Sequence, residues 1–320
     1  MAKHIKINKY KARLITVSVI LCIAAVLLAY IKFADIVPYY IEKQETVVIH
    51  NTEELLANKD SLYNDDCALT GDVHVRESNI CLGGIDRTFT GTFDGNGYTV
   101  YIDLEESADG FSLFGKIAEG AVIKNVNFVF SSFDVSSQSY GGIATSNEGV
   151  ISNCSVSFEV GITRAGTFSP LVTTNKGEIS NIVAEGAFIN RGVAESSEDK
   201  VFTGALCVYN YGTVKNAVVT ADFSGFTSAS KLDVLRGDKV NNTIAAVDYS
   251  DIGEGETSNI NVLIADTLFA ADNSDSFYSL NDKDKVFSEN NVFVALDFDN
   301  RFWQLDGGKL TLINTGNTEG

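Results

Sequence analysis

The sequence predicts an all-β protein, a right-handed parallel β-helix preceded by one N-terminal transmembrane helix. Three observations predict it. Imperfect repeats run through most of the 320 residues, one asparagine recurs in every copy, and residues 14–31 carry no charge. A repeat settles architecture before any single residue does, so it is taken first.

The repeat opens with FTGTFDGNGYTV (Phe89 to Val100) and SLFGKIAEGAVIKNVNF (Ser112 to Phe128). It recurs as GGIATSNEGVISNCSV, SPLVTTNKGEISNIVA and GALCVYNYGTVKNAVV, and more loosely as IGEGETSNINVLI. Aligned on Asn125, Asn153, Asn181, Asn216 and Asn259, the copies are spaced by 28, 28, 35 and 43 residues. After each asparagine, apolar residues recur at the first, third and fifth positions: Val126, Phe128 and Phe130, then Cys154, Val156 and Phe158. That alternation marks a strand with one buried face.

The phase breaks at the asparagine. Ile123 and Val126 both need to point inward, which a straight strand cannot arrange and a corner can. Asparagine suits a corner because it tolerates the left-handed conformation. A glycine precedes it by four or five residues in four copies (Gly120, Gly149, Gly177, Gly212), three times within Asn-x-Gly at Asn147, Asn175 and Asn210. Stacked units of this kind form a solenoid with rungs about 4.8 Å apart. The five late asparagines are expected to form a ladder, each amide bonded to the next. The longer spacings predict insertions at Asn190 to Thr203 and Gly225 to Asn242. A β-propeller is disfavoured because its blades need about 40–50 residues.

The segment from Phe89 to Phe128 resembles the GLUG-type repeat of bacterial surface proteins, which also occurs in the non-catalytic region of some immunoglobulin A peptidases. Likeness extends over residues 61–314, weakest from Asp266 to Asn300, and RFWQLDGGKLTLIN (Arg301 to Asn314) resembles the short strand that ends such arrays. The resemblance implies scaffold and display rather than chemistry.

The chain divides into a basic cytoplasmic tail (1–13), a transmembrane anchor (14–31), a stalk and N-terminal cap (32–60), the GLUG-like β-helix ectodomain (61–314) and a disordered tail (315–320). Leu14 to Ile31 is long enough to span a bilayer core as a helix. Lys3, Lys6, Lys9, Lys11 and Arg13 precede it, which places that end in the cytoplasm and makes the chain a single-pass type II protein of the cell membrane. A cleaved signal peptide is the alternative. In the cap, Asn51 or Thr52 is placed to start a short helix whose first turn holds Glu53 and Glu54. Trp303 and the GGKLTLIN strand are expected to cap the far end.

Six of the 24 basic residues and none of the 42 acidic ones fall in the first 34 positions, so the remainder carries 18 against 42, net −24. That balance excludes nucleic acid as a partner. Asp94 to Gly97 reads DGNG, a fragment of a calcium loop without its later ligands, and is expected to be a turn. Cys154 and Cys207 fall at core positions and are expected to be buried thiols. Cys67 and Cys81 lie 14 apart, and whether they pair is left open.

The chemistry-bearing residues form no recognisable constellation. Residues 35–320 contain two histidines, His50 and His74, and no HExxH, GxSxG or CxxC. His74 with Cys67 or Cys81 is expected to be a surface histidine, and Asp103, Glu105, Glu106 and Asp109 a solvated turn. Tyr140, Tyr209 and Tyr211 lie near turns and are candidates for an outer sugar platform. No catalytic, cofactor or metal residue is assigned. The expected function is a non-enzymatic, membrane-anchored bacterial surface protein for adhesion or for binding a glycan, a cell-wall polymer or a surface protein. The alternatives are a carbohydrate-active β-helix enzyme (lyase or glycosidase) and a structural spacer beside another membrane protein.

Overall fold

Four asparagines turn the chain at the same place in successive rungs. Asn125, Asn153, Asn181 and Asn216 have φ of 55°, 51°, 54° and 53°, the left-handed region. Each lies inside one long strand: Val122–Phe130, Val150–Ile162, Glu178–Asn190 and Thr213–Ser224. The alternation slips by one at each corner, so that Ile123 and Val126, three apart, are both wholly buried.

The computed structural model describes residues 46–76, 88–104, 111–131, 133–136, 139–193, 201–224, 231–237, 240–248 and 287–314, all within the unit Thr46–Gly320. It is a parallel β-solenoid. One sheet runs from Val47–Ile49 through Cys67–Leu69, Thr92–Asp94 and the four corner strands to Val240–Asp248. A second sheet faces it and includes Lys116–Ile117, Ala144–Asn147, Val172–Asn175 and Val201–Asn210.

Register is kept rung to rung. Ile123, Ile151, Ile179 and Val214 form one inward column, and Val126, Cys154, Ile182 and Ala217 another, all fully buried. Burying each Ile or Val contributes about 1.5–3 kcal/mol, and stacking like on like lets every rung reuse its neighbour's surface. At the start of the stack, Asn51 caps helix Thr52–Asn58 by accepting from Glu54 N at 3.0 Å. Thr52 Oγ1 accepts from His74 N at 2.8 Å, which satisfies the edge of strand Val73–Val75.

Two rows of amides run along the solenoid, one predicted and one not. In the corner row Asn216 Nδ2 donates to Asn181 Oδ1 (3.0 Å) and Asn181 Nδ2 to Asn153 Oδ1 (3.1 Å). The expected continuation to Asn125 is broken. Asn125 Nδ2 donates onward in the same direction, to the Asp94 carboxylate at 3.0 Å, while its own oxygen is buried without a hydrogen bond. The other row comprises the Asn-x-Gly asparagines: Asn147 Nδ2 donates to Asn175 Oδ1, and Asn175 Nδ2 to Asn210 Oδ1, each at 2.8 Å. These three are the more deeply buried set, at most 1% exposed. Asn147 Oδ1 and Asn210 Oδ1 also accept from the backbone N–H of Gly149 and Gly212 and so shape their own turns.

The expected insertion Gly225 to Asn242 is instead largely rung. Lys231–Gly237 joins the second sheet and Val240–Asp248 the first. Lys215 pairs with Asn241 and Ala217 with Thr243, so Asn242, not Asn259, holds the register position after Asn216. The sequence alignment skipped this copy because the stretch was assigned to an insertion. Asn259 lies outside the described residues. The insertion at Asn190 to Thr203 also ends early, because Val201–Asn210 is a strand.

The C-terminal segment does not cap the far end. Trp303–Asp306 and Lys309–Leu312 form an antiparallel hairpin that lies on the outer wall of the first sheet. Trp303 Nε1 donates to Asn153 Oδ1 at 3.3 Å, and Lys309 Nζ approaches Glu185 at 3.5 Å. With Val218, Val292, Leu296 and Phe298 the hairpin builds a second apolar core outside the solenoid. The reason lies in the outward column Asn127, Ser155, Val183, Val218, which turns from polar to apolar. A wall apolar on both faces needs a cover.

The DGNG turn anchors the end of this segment. Asn96 and Gly97 have φ of 50° and 82°, and Tyr98 N donates to Gly95 O at 2.8 Å. A Cβ on Gly97 would stand 2.3 Å from Ile313 O. Gly97→Ala is therefore expected to lower stability by about 1–3 kcal/mol and to expose residues 311–314 to protease. Unchanged cleavage and an unchanged denaturation midpoint would refute this packing.

Candidate functional site

The polar-to-apolar change in the outward column leaves a cleft of about 390 Å³ between the sheet wall and the hairpin. The wall contributes Asn127 from Val122–Phe130, Ser155 and Ser157 from Val150–Ile162, and Glu185 from Glu178–Asn190. The hairpin contributes Lys309 and Thr311, and Val183, Leu310, Leu312 and Phe287 supply the apolar lining. Alternation along each strand sends these residues outward while their neighbours fill the core.

The polar groups are held by hydrogen bonds within the protein. Asn127 Nδ2 donates to Gly97 O at 2.8 Å, and Ser155 Oγ donates to Asn127 Oδ1 at 2.7 Å, which leaves the serine oxygen as an acceptor. Glu185 and Lys309, 52% and 68% exposed, place a carboxylate and an ammonium side by side at the mouth. An exposed pair of this kind contributes at most about 1 kcal/mol to stability. The arrangement offers donors, acceptors and an apolar floor.

A smaller polar cluster lies at the start of the stack. His74 Nδ1 and Asp103 Oδ2 are 2.8 Å apart, Ser131 Oγ donates to Asp103 Oδ1, and the imidazole stacks on Tyr101 at 4.6 Å. The serine and the histidine grip opposite oxygens of the carboxylate, so this is not a serine–histidine–aspartate relay, in which the histidine would hold the serine. Burial alone would raise the Asp103 carboxyl, but the bonds from Ser131 and His74 outweigh it and hold the group below its ordinary value. Glu178 behaves likewise: burial raises it, and Lys215 and Ser180 bring it below. A carboxylate depressed on folding contributes stability in full above its unfolded pKa and loses it as pH falls through the folded value. Acid unfolding is thus expected to set in below about pH 4, and Asp103→Asn to flatten that limb. A pH–stability curve that superimposes on the parent's would refute it.

The remaining candidates divide. His74 faces out beside Asp103, whereas Cys67 is a buried thiol that burial pushes up to about 12, so the two form no catalytic pair. Cys81, Glu105, Glu106, Asp109 and residues 14–31 lie outside the described residues. Cys154 is buried and pushed up to about 12, and burial pushes Cys207 up as well. The Asp94 carboxylate receives Asn96 N, Asn125 Nδ2 and Lys124 Nζ, and the DGNG segment is a turn. Tyr140, expected outside, is 1% exposed because its strand Ser139–Gly141 turns it inward; Tyr209 and Tyr211 are at the surface, 37% and 66% exposed.

No family model and no curated protein sequence matches the chain. Among solved structures, its fold is similar to a Bacteroides ovatus protein that carries the provisional name immunoglobulin A1 protease. The match has a TM-score of 0.53 and 12% identity, and covers 84% of this chain and 92% of that one. At that identity the likeness establishes a shared fold.

Sequence reasoning missed the cleft. Its signal was the pairs of adjacent apolar residues after the corner, Ile182–Val183 and Val218–Val219, where one-faced alternation should have left a polar outer residue.

Proposed function

We propose that the protein is a non-enzymatic, membrane-anchored bacterial surface module that binds a glycan, wall polymer or surface protein through the outer wall of its solenoid. The observation that carries this reading is the cleft: a concave, hydroxyl-lined site assembled from wall and hairpin, segments joined by a bond spanning 150 residues of sequence. The uncharged stretch Leu14 to Ile31, with its basic flank, supplies the anchor and a type II orientation. Among the described residues no helix is long and apolar enough to cross a membrane, and no cluster of three metal-ligating side chains occurs. The right-handed sense of the coil belongs to the same proposal.

The provisional name of the structural neighbour raises peptide cleavage. Against that, the three described cysteines are buried, and Ser131 and His74 both engage Asp103 rather than each other. An array of glycans, wall polymers and surface proteins probed with the full-length chain, with product release followed in parallel, tests the reading. Binding without shortened products is the expected result; turnover of any arrayed polymer, or no binding above background, overturns it.

A further inference from the structure

We propose that the hairpin-walled cleft takes one neutral pyranose ring, the terminal sugar of a larger glycan. The inference rests on the binding-module reading and names the ligand and its place. Size comes first: about 390 Å³ lies at the lower end of the range of small-molecule sites. It suits a single ring or two, and not an extended polymer or a folded partner.

Charge comes next. Glu185 and Lys309 face each other at 3.5 Å, so the mouth carries both signs and no net field. A phosphate or sulfate would meet the carboxylate, and a cation would meet the ammonium. A neutral polyol meets both as hydrogen-bond partners, with the carboxylate accepting and the ammonium donating.

Spacing and polarity complete the match. Asn127 and Ser155 stand in register on adjacent rungs about 4.8 Å apart. Their polar atoms lie closer than the rungs do, because Ser155 Oγ donates to Asn127 Oδ1 at 2.7 Å, and the pair presents one joined polar edge to a ligand. Their mutual hydrogen bond fixes both before binding, so little side-chain entropy is lost when a ring docks. Ser157 and Thr311 add hydroxyls on either side. Phe287, Leu310 and Leu312 offer an apolar surface to the C–H face of the sugar, as aromatic and aliphatic floors do for amphipathic rings.

Saturation-transfer NMR on the full-length chain, with glucose, galactose and N-acetylglucosamine as separate probes, tests the proposal. Transfer to the ring protons of at least one sugar is expected. Glu185→Gln is expected to weaken that binding about tenfold, the loss of one charge-assisted hydrogen bond, and Ser157→Val with Glu185→Gln to abolish it. Both sites are exposed, and a thermal melt matching the parent's shows that the variants fold. No transfer from any of the three sugars, or equal transfer in the double variant, overturns the proposal. The double variant on the glycan array separates the two readings: retained array binding removes the cleft and leaves the binding module, whereas an array silent for the parent removes both.

Discussion

Asn175→Ala is expected to lower the stability of the solenoid by about 2–4 kcal/mol, more than any substitution in the corner row of amides. Asn175 is wholly buried in the middle of its row. It accepts from Asn147 and donates to Asn210, both at 2.8 Å, and its amide also reaches Gly177 O and Thr213 O at 3.4 and 3.3 Å. Alanine leaves the two neighbouring amides facing a void. Part of the loss is offset, because Asn147 Nδ2 keeps Glu178 O and Asn210 Oδ1 keeps Gly212 N. Asn181→Gly is the comparison. Glycine preserves the left-handed corner, so the change removes only two half-buried amide bonds and is expected to cost about 1 kcal/mol. Urea denaturation of both variants against the parent measures the difference. Equal costs would mean that the two rows are alike in burial and that the second-sheet row has no special part in holding rungs together.

The second large effect concerns Trp303. Trp303→Ala is expected to cost about 3–5 kcal/mol, but locally rather than throughout the solenoid. The indole is 1% exposed, meets Phe298 edge-on at 5.2 Å and donates to Asn153. It is the largest side chain of the outer core, and that core is separate from the solenoid interior. Removing it should free residues 287–314 while the inward columns at Ile151 and Cys154 stay packed. Limited proteolysis is expected to cut the C-terminal segment first and leave a resistant core. Sugar binding should disappear with the hairpin, because Lys309, Thr311 and Leu310 form one wall of the cleft. Protease resistance and binding equal to the parent's would show that the hairpin is held by something other than its indole.

Legibility in the sequence followed how local each signal was. The corner asparagines were visible because a phase slip and a left-handed residue are both encoded within five positions. Cys154, Phe128 and Phe158 were assigned to the core by the same alternation. Asn242 was missed because Gly225 to Asn242 was read as an insertion, and the alignment passed on to Asn259. Tyr140 was misplaced because a residue near a turn can face either way, and only the pairing of Ser139–Gly141 with Gly166–Ser169 settles which. The break between Asn125 and Asn153, which leaves the Asn125 oxygen without a hydrogen bond, was not visible because the repeat pattern treats every copy alike.

The cleft was harder still. Val183 and Val218 disclose that the outer wall is covered, yet nothing local says by what. The hairpin that covers it begins more than a hundred residues downstream of Val183, and Gly97, against which its end packs, belongs to the opening repeat.

By itself, the sequence determined a stacked parallel β architecture, its inward columns and its asparagine corners, because each rung repeats the same short-range pattern and any one copy carries the information. Only the tertiary structure decided that the C-terminal hairpin lies along the wall, that the deeper amide row belongs to the turn asparagines, and that a hydroxyl-lined cleft forms between hairpin and sheet. Those features arise where segments distant in sequence meet, and their contacts depend on shape and burial that no periodicity records.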